Sequence, residues 1–461
     1  MVQKHLTTIG LLIVFFIMVA PLQFGAAQDV APGEEPSPQW DLGTDLAFGV
    51  VSFVDDETGE TLTYQQIGLR PEIVIGRFGL GLDLTLNYRF TGGDGSEFEV
   101  REEDWVPSGE INFLELYLPK INYIRYGRKG EPFYTQFGSL PSATLGNGFI
   151  LENYSNELFR PQRRIFGGVL DVDGALLGFP YVGIETLTAN VAAWDVMAAR
   201  LYTRPLADVP VPVLPNMQVG GTLAVDRDPF YHVRISKAPD NPFADVSAPG
   251  DPVYVWGIDT RLPILQSEFM SLAAFGDIVW QEDRMGGMVG TGGHLFRFLL
   301  YGAQIRLYED NFVPTYFDRT YDRRRVERYA VYREETDVDG GFGWQGRLGF
   351  SLLQESIIFL TTVSGPFESG TGMRPELQAA LTLAEGTIPG FSGFSFEGSY
   401  EKFNLKDPED LVSAEDAIIG ARFNIRSGPV VITLAYNLMY DPLAEGDPWV
   451  VSSGLETAIA F

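Results

Sequence analysis

The 461-residue chain contains no cysteine. Structural disulfides, Cys-ligated zinc, iron–sulfur clusters, thiol catalysis and a lipid-modified N-terminal cysteine are therefore excluded. Positive charge is scarce: 33 Lys+Arg stand against 61 Asp+Glu, a formal net charge of -28. A nucleic-acid reader needs a basic surface to neutralise phosphates, so no nucleic-acid partner is expected. From Trp40 onward no uninterrupted apolar stretch approaches the roughly 20 residues that a transmembrane helix needs. Histidine, the usual general base, is nearly absent. Beyond the first few residues only His232 and His294 occur, neither at a diagnostic spacing from Ser or Asp, and no G-x-S-x-G element exists. No enzyme is expected. Asp171, Asp173 and Gly174, like Asp337, Asp339 and Gly340, echo part of a calcium loop but lack its downstream glutamate, so neither a metal nor another cofactor is expected. What is abundant is aromatic residues (13%) and glycine (51), a turn-rich composition that is not that of a disordered chain.

Met1 to Ala27 reads as a secretory signal. Lys4 gives the positive start, Ile9 to Ala20 is an apolar run stopped by Pro21, and Gly25-Ala26-Ala27 offers a small-residue cleavage site. The expected organisation is a signal peptide over 1–27, a short periplasmic segment over 28–39, and one β domain over 40–461.

Period two dominates that domain. In Gly79 to Phe90 the even positions are Leu80, Leu82, Leu84, Leu86, Tyr88 and Phe90, while the odd ones include Gly79, Asp83, Asn87 and Arg89. The pattern returns around Trp256 to Leu262, Leu299 to Leu307, Trp344 to Leu352 and Ala417 to Ile425. Each run is an amphipathic strand with one apolar face. The other face carries charge in strand after strand: Asp83, Arg89, Arg306, Arg347, Arg422 and Arg426 are candidates for a water-filled lumen. Turn signals separate the strands at Asp55 to Glu60, Thr91 to Ser96, Lys406 to Asp410 and Asp441 to Pro448. The expected fold is all-β, a transmembrane antiparallel β-barrel of about 16 strands, range about 14 to 18.

The last strand runs to the final residue, with Leu455, Thr457, Ile459 and Phe461 on one face and Glu456, Ala458 and Ala460 on the other. Here the sequence resembles bacterial outer-membrane β-barrel proteins, whose last strand commonly ends in an aromatic residue. The resemblance implies a place in the outer membrane of a diderm bacterium, contact with its lipid, and an assembly signal at Leu455, Ile459 and Phe461 for the barrel-insertion machinery. Tyr126-Gly127, Leu145-Gly146-Asn147-Gly148 and Asn153-Tyr154-Ser155-Asn156 point to a porin-like group without naming a subfamily.

Two basic segments are candidates for function. The long irregular stretch from Tyr126 to Ile165, which contains Arg160, Arg163 and Arg164, either folds inward to narrow a pore or stands outward as a loop. In Tyr308 to Tyr332, Arg319, Arg323, Arg324, Arg325 and Arg328 crowd with Tyr316 and Tyr321; forks and flat rings of this kind would favour anionic or polyhydroxylated solutes. A solvated loop, neutralised by its own Asp310, Asp318, Asp322 and Glu327, is the competing reading. The expected function is passive diffusion of small hydrophilic solutes through a porin-like channel. An adhesin or structural barrel is the alternative. A barrel enzyme or a hydrophobic-substrate transporter fits less well, the latter because residues 28–39 are too few for a hatch. Monomer and homo-oligomer both stay open.

Overall fold

The alternating runs become paired strands in the computed structural model, which describes residues 40–54, 61–92, 97–107, 111–160, 163–211, 213–235, 249–368, 373–413, 415–440 and 449–461. The expected signal peptide, the segment 28–39 and the turn signals at 55–60, 93–96 and 441–448 lie outside the described residues. Neighbouring strands pair antiparallel throughout. The last, Trp449–Ala460, closes on the first, Trp40–Val54, through pairs from Asp45↔Ala460 to Val51↔Gly454. Closure removes the sheet edges and satisfies every strand within the wall.

The wall has 20 strands, which corrects the expectation of about 16 in a range of 14 to 18. Two features hid the extra strands. Five consecutive ones, Ile121–Tyr126, Phe133–Gly138, Gly167–Asp173, Val182–Thr188 and Val196–Thr203, have only 6, 6, 7, 7 and 8 residues, too short to show a sustained period. Others are joined by turns that consume almost no chain, as between Gln281 and Arg284 or Ser427 and Val430. Two wall positions are also split: Phe78–Leu82 and Leu84–Thr91 both pair with Thr61–Ile75, and they pair in turn with Ile121–Tyr126 and Glu97–Val100.

Directly opposed residues share a face of the sheet, so the register sorts every position into outward or inward. Outward positions include Leu201, Val289 and Ile305, exposed at 64%, 65% and 53%. Among the described strands the only charged outward residue is Lys402, at a strand end, where its ammonium donates to Ser413 Oγ at 3.1 Å and to the Glu415 carbonyl. A charge at the middle of the lipid face costs roughly 2–4 kcal/mol, and none is there. Arg89, Arg306, Arg347, Arg422 and Arg426 fall on the inward side of the register, and Asp83, between two strands, is paired with the inward Arg70. The outer face is therefore lipid-facing and the inner face polar.

Wall height is uneven. Trp40–Val54 and Thr61–Ile75 have 15 residues each and Val253–Gln266 has 14, against the five short strands above. Below the short strands, at the end of the barrel that carries both chain termini, Leu176, Leu177 and Phe179 are exposed at 53%, 83% and 55%. On the inner wall the Tyr123 ring fills the space that a side chain at Gly81 would take: a Cβ there would meet the ring at 2.8 Å.

Candidate functional site

The lumen is partly filled. The segments 139–166 and 309–340 leave the wall at the end opposite the termini and fold inward, which decides the placement left open for the first segment. Leu151, Tyr154, Phe312, Tyr316, Phe317 and Tyr321 are fully buried in one apolar cluster, together with wall residues from strands between Gly167 and Tyr308. The two segments also join through their backbones: Glu152 N donates to Phe317 O at 3.0 Å, Phe317 N to Ile150 O at 3.0 Å, and Thr315 N to Phe149 O at 3.0 Å.

Asn156 fixes the base of the first segment. Its Oδ1 accepts from Leu140 N at 2.8 Å, and its Nδ2 donates to the carbonyls of Ile165 and Ala189 at 3.2 Å and of Gly138 at 3.3 Å. Asn147 reaches the wall, donating to Asp277 Oδ1 at 2.7 Å. Glu152 accepts from Gln345 Nε2 at 3.1 Å and pairs with Arg347.

The second segment carries a helix, Tyr321–Tyr332. Tyr321, Arg325, Arg328 and Tyr332 recur at helical spacing, and all four are buried against the wall or the first segment. Arg325 Nε donates to Asp226 Oδ2 at 2.6 Å and Nη1 to Asp195 Oδ2 at 2.8 Å, while Nη2 bonds the other Asp226 oxygen. Tyr321 adds its hydroxyl to Asp226 at 2.5 Å. Arg328 donates to the Thr315 carbonyl at 3.0 Å and pairs with Asp318. Arg325, Arg328, Tyr316 and Tyr321 thus hold the plug together and offer no face to a solute. Asp318 and Glu327 do neutralise neighbouring arginines, but inside the barrel.

Arg160, Arg164, Arg319, Arg323 and Arg324 are half-buried. Arg319 pairs with Glu401 at 2.6 Å and Arg324 with Glu376 at 2.7 Å and Glu327 at 3.0 Å. Arg323 lies over the Phe159 ring, 4.4 Å from its centre. Arg164 pairs with Asp83 at 2.7 Å, an acid it shares with Arg70 at 3.2 Å. Arg160 pairs with Glu157 at 3.3 Å. Burial lowers the Arg160 guanidinium below its usual range; Glu157 opposes this, and the like charges of Arg164 and Arg422 add to it. Arg422 and Arg426 are exposed on the inner wall, Arg422 opposite Glu397 and Arg426 paired with Glu385 at 2.7 Å.

Arg163 alone of the first three turns back into the plug, donating to His232 Nδ1. Asp195, Asp226, Asn156, Glu152 and His232 were not singled out from sequence as partners. The helical spacing of Tyr321, Arg325 and Arg328 was the one available signal, since it places two arginines and a tyrosine on a single face.

At the far end of the barrel Leu455 is exposed at 53% and Phe461 at 76%, and Ile459 is paired with Leu46. No helix among the described residues is long and apolar enough to cross a membrane, and no group of three metal-ligating side chains occurs among them.

A closed, even-numbered antiparallel barrel whose lipid face carries no charge at its middle is an outer-membrane β-barrel, and its place is the outer membrane of a Gram-negative bacterium. No family model and no curated protein matches the chain. Among solved structures it is similar to OccAB4 of Acinetobacter baumannii, at 8% identity and TM-score 0.30, covering 92% of this chain and 97% of that one. OccK2 (OpdF) of Pseudomonas aeruginosa, solved in complex with glucuronate, shows 9% identity and TM-score 0.31 over 92% of this chain and 98% of that one. Wzi of Escherichia coli, described as a carbohydrate-binding β-barrel involved in group 1 capsule assembly, shows 10% identity and TM-score 0.32 over 91% and 84%. Likeness at this level assigns no solute.

Proposed function

We propose that the protein is an outer-membrane channel for passive diffusion of small hydrophilic solutes, with a preference for anions. The observation that carries this reading is the asymmetry of the lumen. The plug rests on wall strands between Gly167 and Tyr308, whereas the remaining wall presents small or polar inward positions such as Thr362, Gln378, Ser399, Asn424 and Thr433, beside a small apolar cluster of Val51, Phe53 and Tyr64. Water passes along that half, and Arg160, Arg164 and Arg422 border it from the plug and from the wall. Arg319, Arg323, Arg324 and Arg347 extend the same basic border.

A solute in this passage meets fixed guanidinium groups within a few ångströms. Carboxylates in loops at a wide mouth are screened within a Debye length of about 8 Å. Selectivity accordingly follows the arginines despite the net acidic charge. The test is planar-bilayer conductance with reversal potentials across a salt gradient. Wild type is expected to conduct and to favour anions, and Arg160→Gln/Arg164→Gln/Arg422→Gln to move toward cations. Neutralising the exposed pair Glu102 and Glu103 is expected to move it less. Absence of conductance from folded protein would remove the channel reading and leave the adhesin or structural barrel.

A further inference from the structure

Three inward segments meet at one histidine. His232 lies in the short helix Tyr231–Ile235 and is 8% exposed, packed on the Phe159 ring at 4.5 Å. Its Nδ1 faces the guanidinium of Arg163, and its Nε2 lies 3.4 Å from Asp322 Oδ1. Asp322, 4% exposed on the long plug helix, accepts through its other oxygen from the Tyr154 hydroxyl at 2.9 Å.

The donor inventory fixes the tautomer. A guanidinium can only donate, so Nδ1 must accept with its lone pair and the ring proton must sit on Nε2, on the side of Asp322. Nδ1 is thereby committed, whereas Nε2 and Asp322 Oδ1 are buried without a hydrogen-bond partner among the described residues; a second proton can enter only at Nδ1, where Arg163 now donates. Protonation and the Arg163 contact exclude each other.

We propose that His232 is a positioning residue whose protonation releases Arg163 from the plug and turns its guanidinium toward the channel, so that acid strengthens the anion preference. The proposal rests on the channel reading for its consequence, but not for its first step. Among the described residues the hydrogen-bond partner of the Arg163 guanidinium is His232; Phe159 and Tyr231 offer ring faces at 4.9 and 5.8 Å, and Asp322, Asp195 and Glu115 act on it through their charge. Arg163 also sits between Arg160 and Arg164, which already border the water path.

The charged groups around His232 come from every segment packed against it. Arg163 lies on the first plug segment, Arg323, Arg325 and Asp322 on the plug helix, and Asp195 on the connection after Val182–Thr188. Tyr231 is its chain neighbour and is tied to Glu115. Burial first, then Arg163, Arg325 and Arg323, hold the imidazole well below its ordinary range, with Asp195 opposing. Burial raises Asp322. The two shifts act in one direction on the latch: as pH falls, Asp322 loses its negative charge and His232 gains a positive one, and each step makes the pocket less hospitable to Arg163. The acid transition therefore lies below the ordinary imidazole value of about 6.5.

Two measurements separate this idea from the channel reading. With His294→Gln in the mature protein, His232 is the single imidazole beyond the signal segment, and its nitrogen resonances report tautomer and titration without any current. The expected spectrum is the Nε2–H form at neutral pH, protonating only in acid; an Nδ1–H form, or titration as a free imidazole, would overturn the proposal. In bilayers, the chloride-to-potassium permeability ratio should rise on acidification in wild type, by more than in His232→Gln or Arg163→Gln, whose residual change measures ordinary carboxylate titration. Equal acid shifts in all three would overturn it as well. If no current is found, the channel reading fails while the spectrum still decides the latch.

Discussion

Removing the Arg325 guanidinium tests whether the plug is held by charge. In Arg325→Met the side-chain volume is roughly kept, but Asp226 and Asp195, exposed at 0% and 3%, lose their common cation. Arg325 makes three charge-assisted bonds, two of them at 2.6 and 2.8 Å, to partners 99 and 130 residues away. Breaking one side of a buried pair costs about 3–5 kcal/mol, chiefly because the stranded carboxylates remain out of water. Part of that cost is avoided if the plug swings away and lets water in. The expected signature is therefore double: earlier urea unfolding, followed by tryptophan fluorescence in detergent, and a larger, noisier single-channel conductance. In Arg325→Met/Asp226→Asn the stability loss should be smaller than the sum of the two single changes, by about 0.5–3 kcal/mol. Wild-type unfolding and conductance in Arg325→Met would refute the argument that this cluster anchors the helix.

Four further outcomes are expected. Asn156→Ala strips one acceptor and three donor contacts from the base of the first plug segment, so it should cost about 1–3 kcal/mol in urea unfolding and raise conductance. Leu201→Arg, on the lipid face at 64% exposure, should cost roughly 2–4 kcal/mol of barrel stability, whereas Leu201→Met should cost little. Deleting Phe461 should slow assembly, read as less heat-modifiable barrel at unchanged signal cleavage. N-terminal sequencing of protein taken from outer membranes should begin near Gln28; a start at Met1 would remove the signal-peptide expectation.

Much of the wall was legible because alternation has a direct physical cause. Leu80, Leu82, Leu84 and Leu86 alternate with Gly79, Gly81, Asp83 and Thr85 because one row meets lipid and the other does not, and the register keeps them so. Ile121–Tyr126 could not be read in the same way: six residues hold at most three repeats of the pattern, and chance alone produces as much. The plug was harder still. Arg325 and Arg324 are neighbours of one residue type, yet one is sealed against Asp226 and the other reaches Glu376 at the edge of the water path. Local sequence cannot separate them, since the acids that decide are supplied by distant strands. His232 had the same difficulty: a lone histidine gains meaning only when Arg163 and Asp322 arrive from other segments.

The uneven wall makes the protein a poor match for a bilayer of constant thickness. At about 3.3 Å per residue and a strand tilt of about 40°, a 6-residue strand rises about 15 Å and a 15-residue strand about 38 Å, against an apolar band of about 25 Å. Hydrophobic mismatch of that size is relieved by leaning the barrel axis and by locally pinching the leaflets beside the low side. Leu177 and Phe179 then dip into the inner leaflet's boundary and extend the low side downward. Lipids with short or disordered chains are expected to collect there, giving the barrel a surrounding patch of thinner membrane.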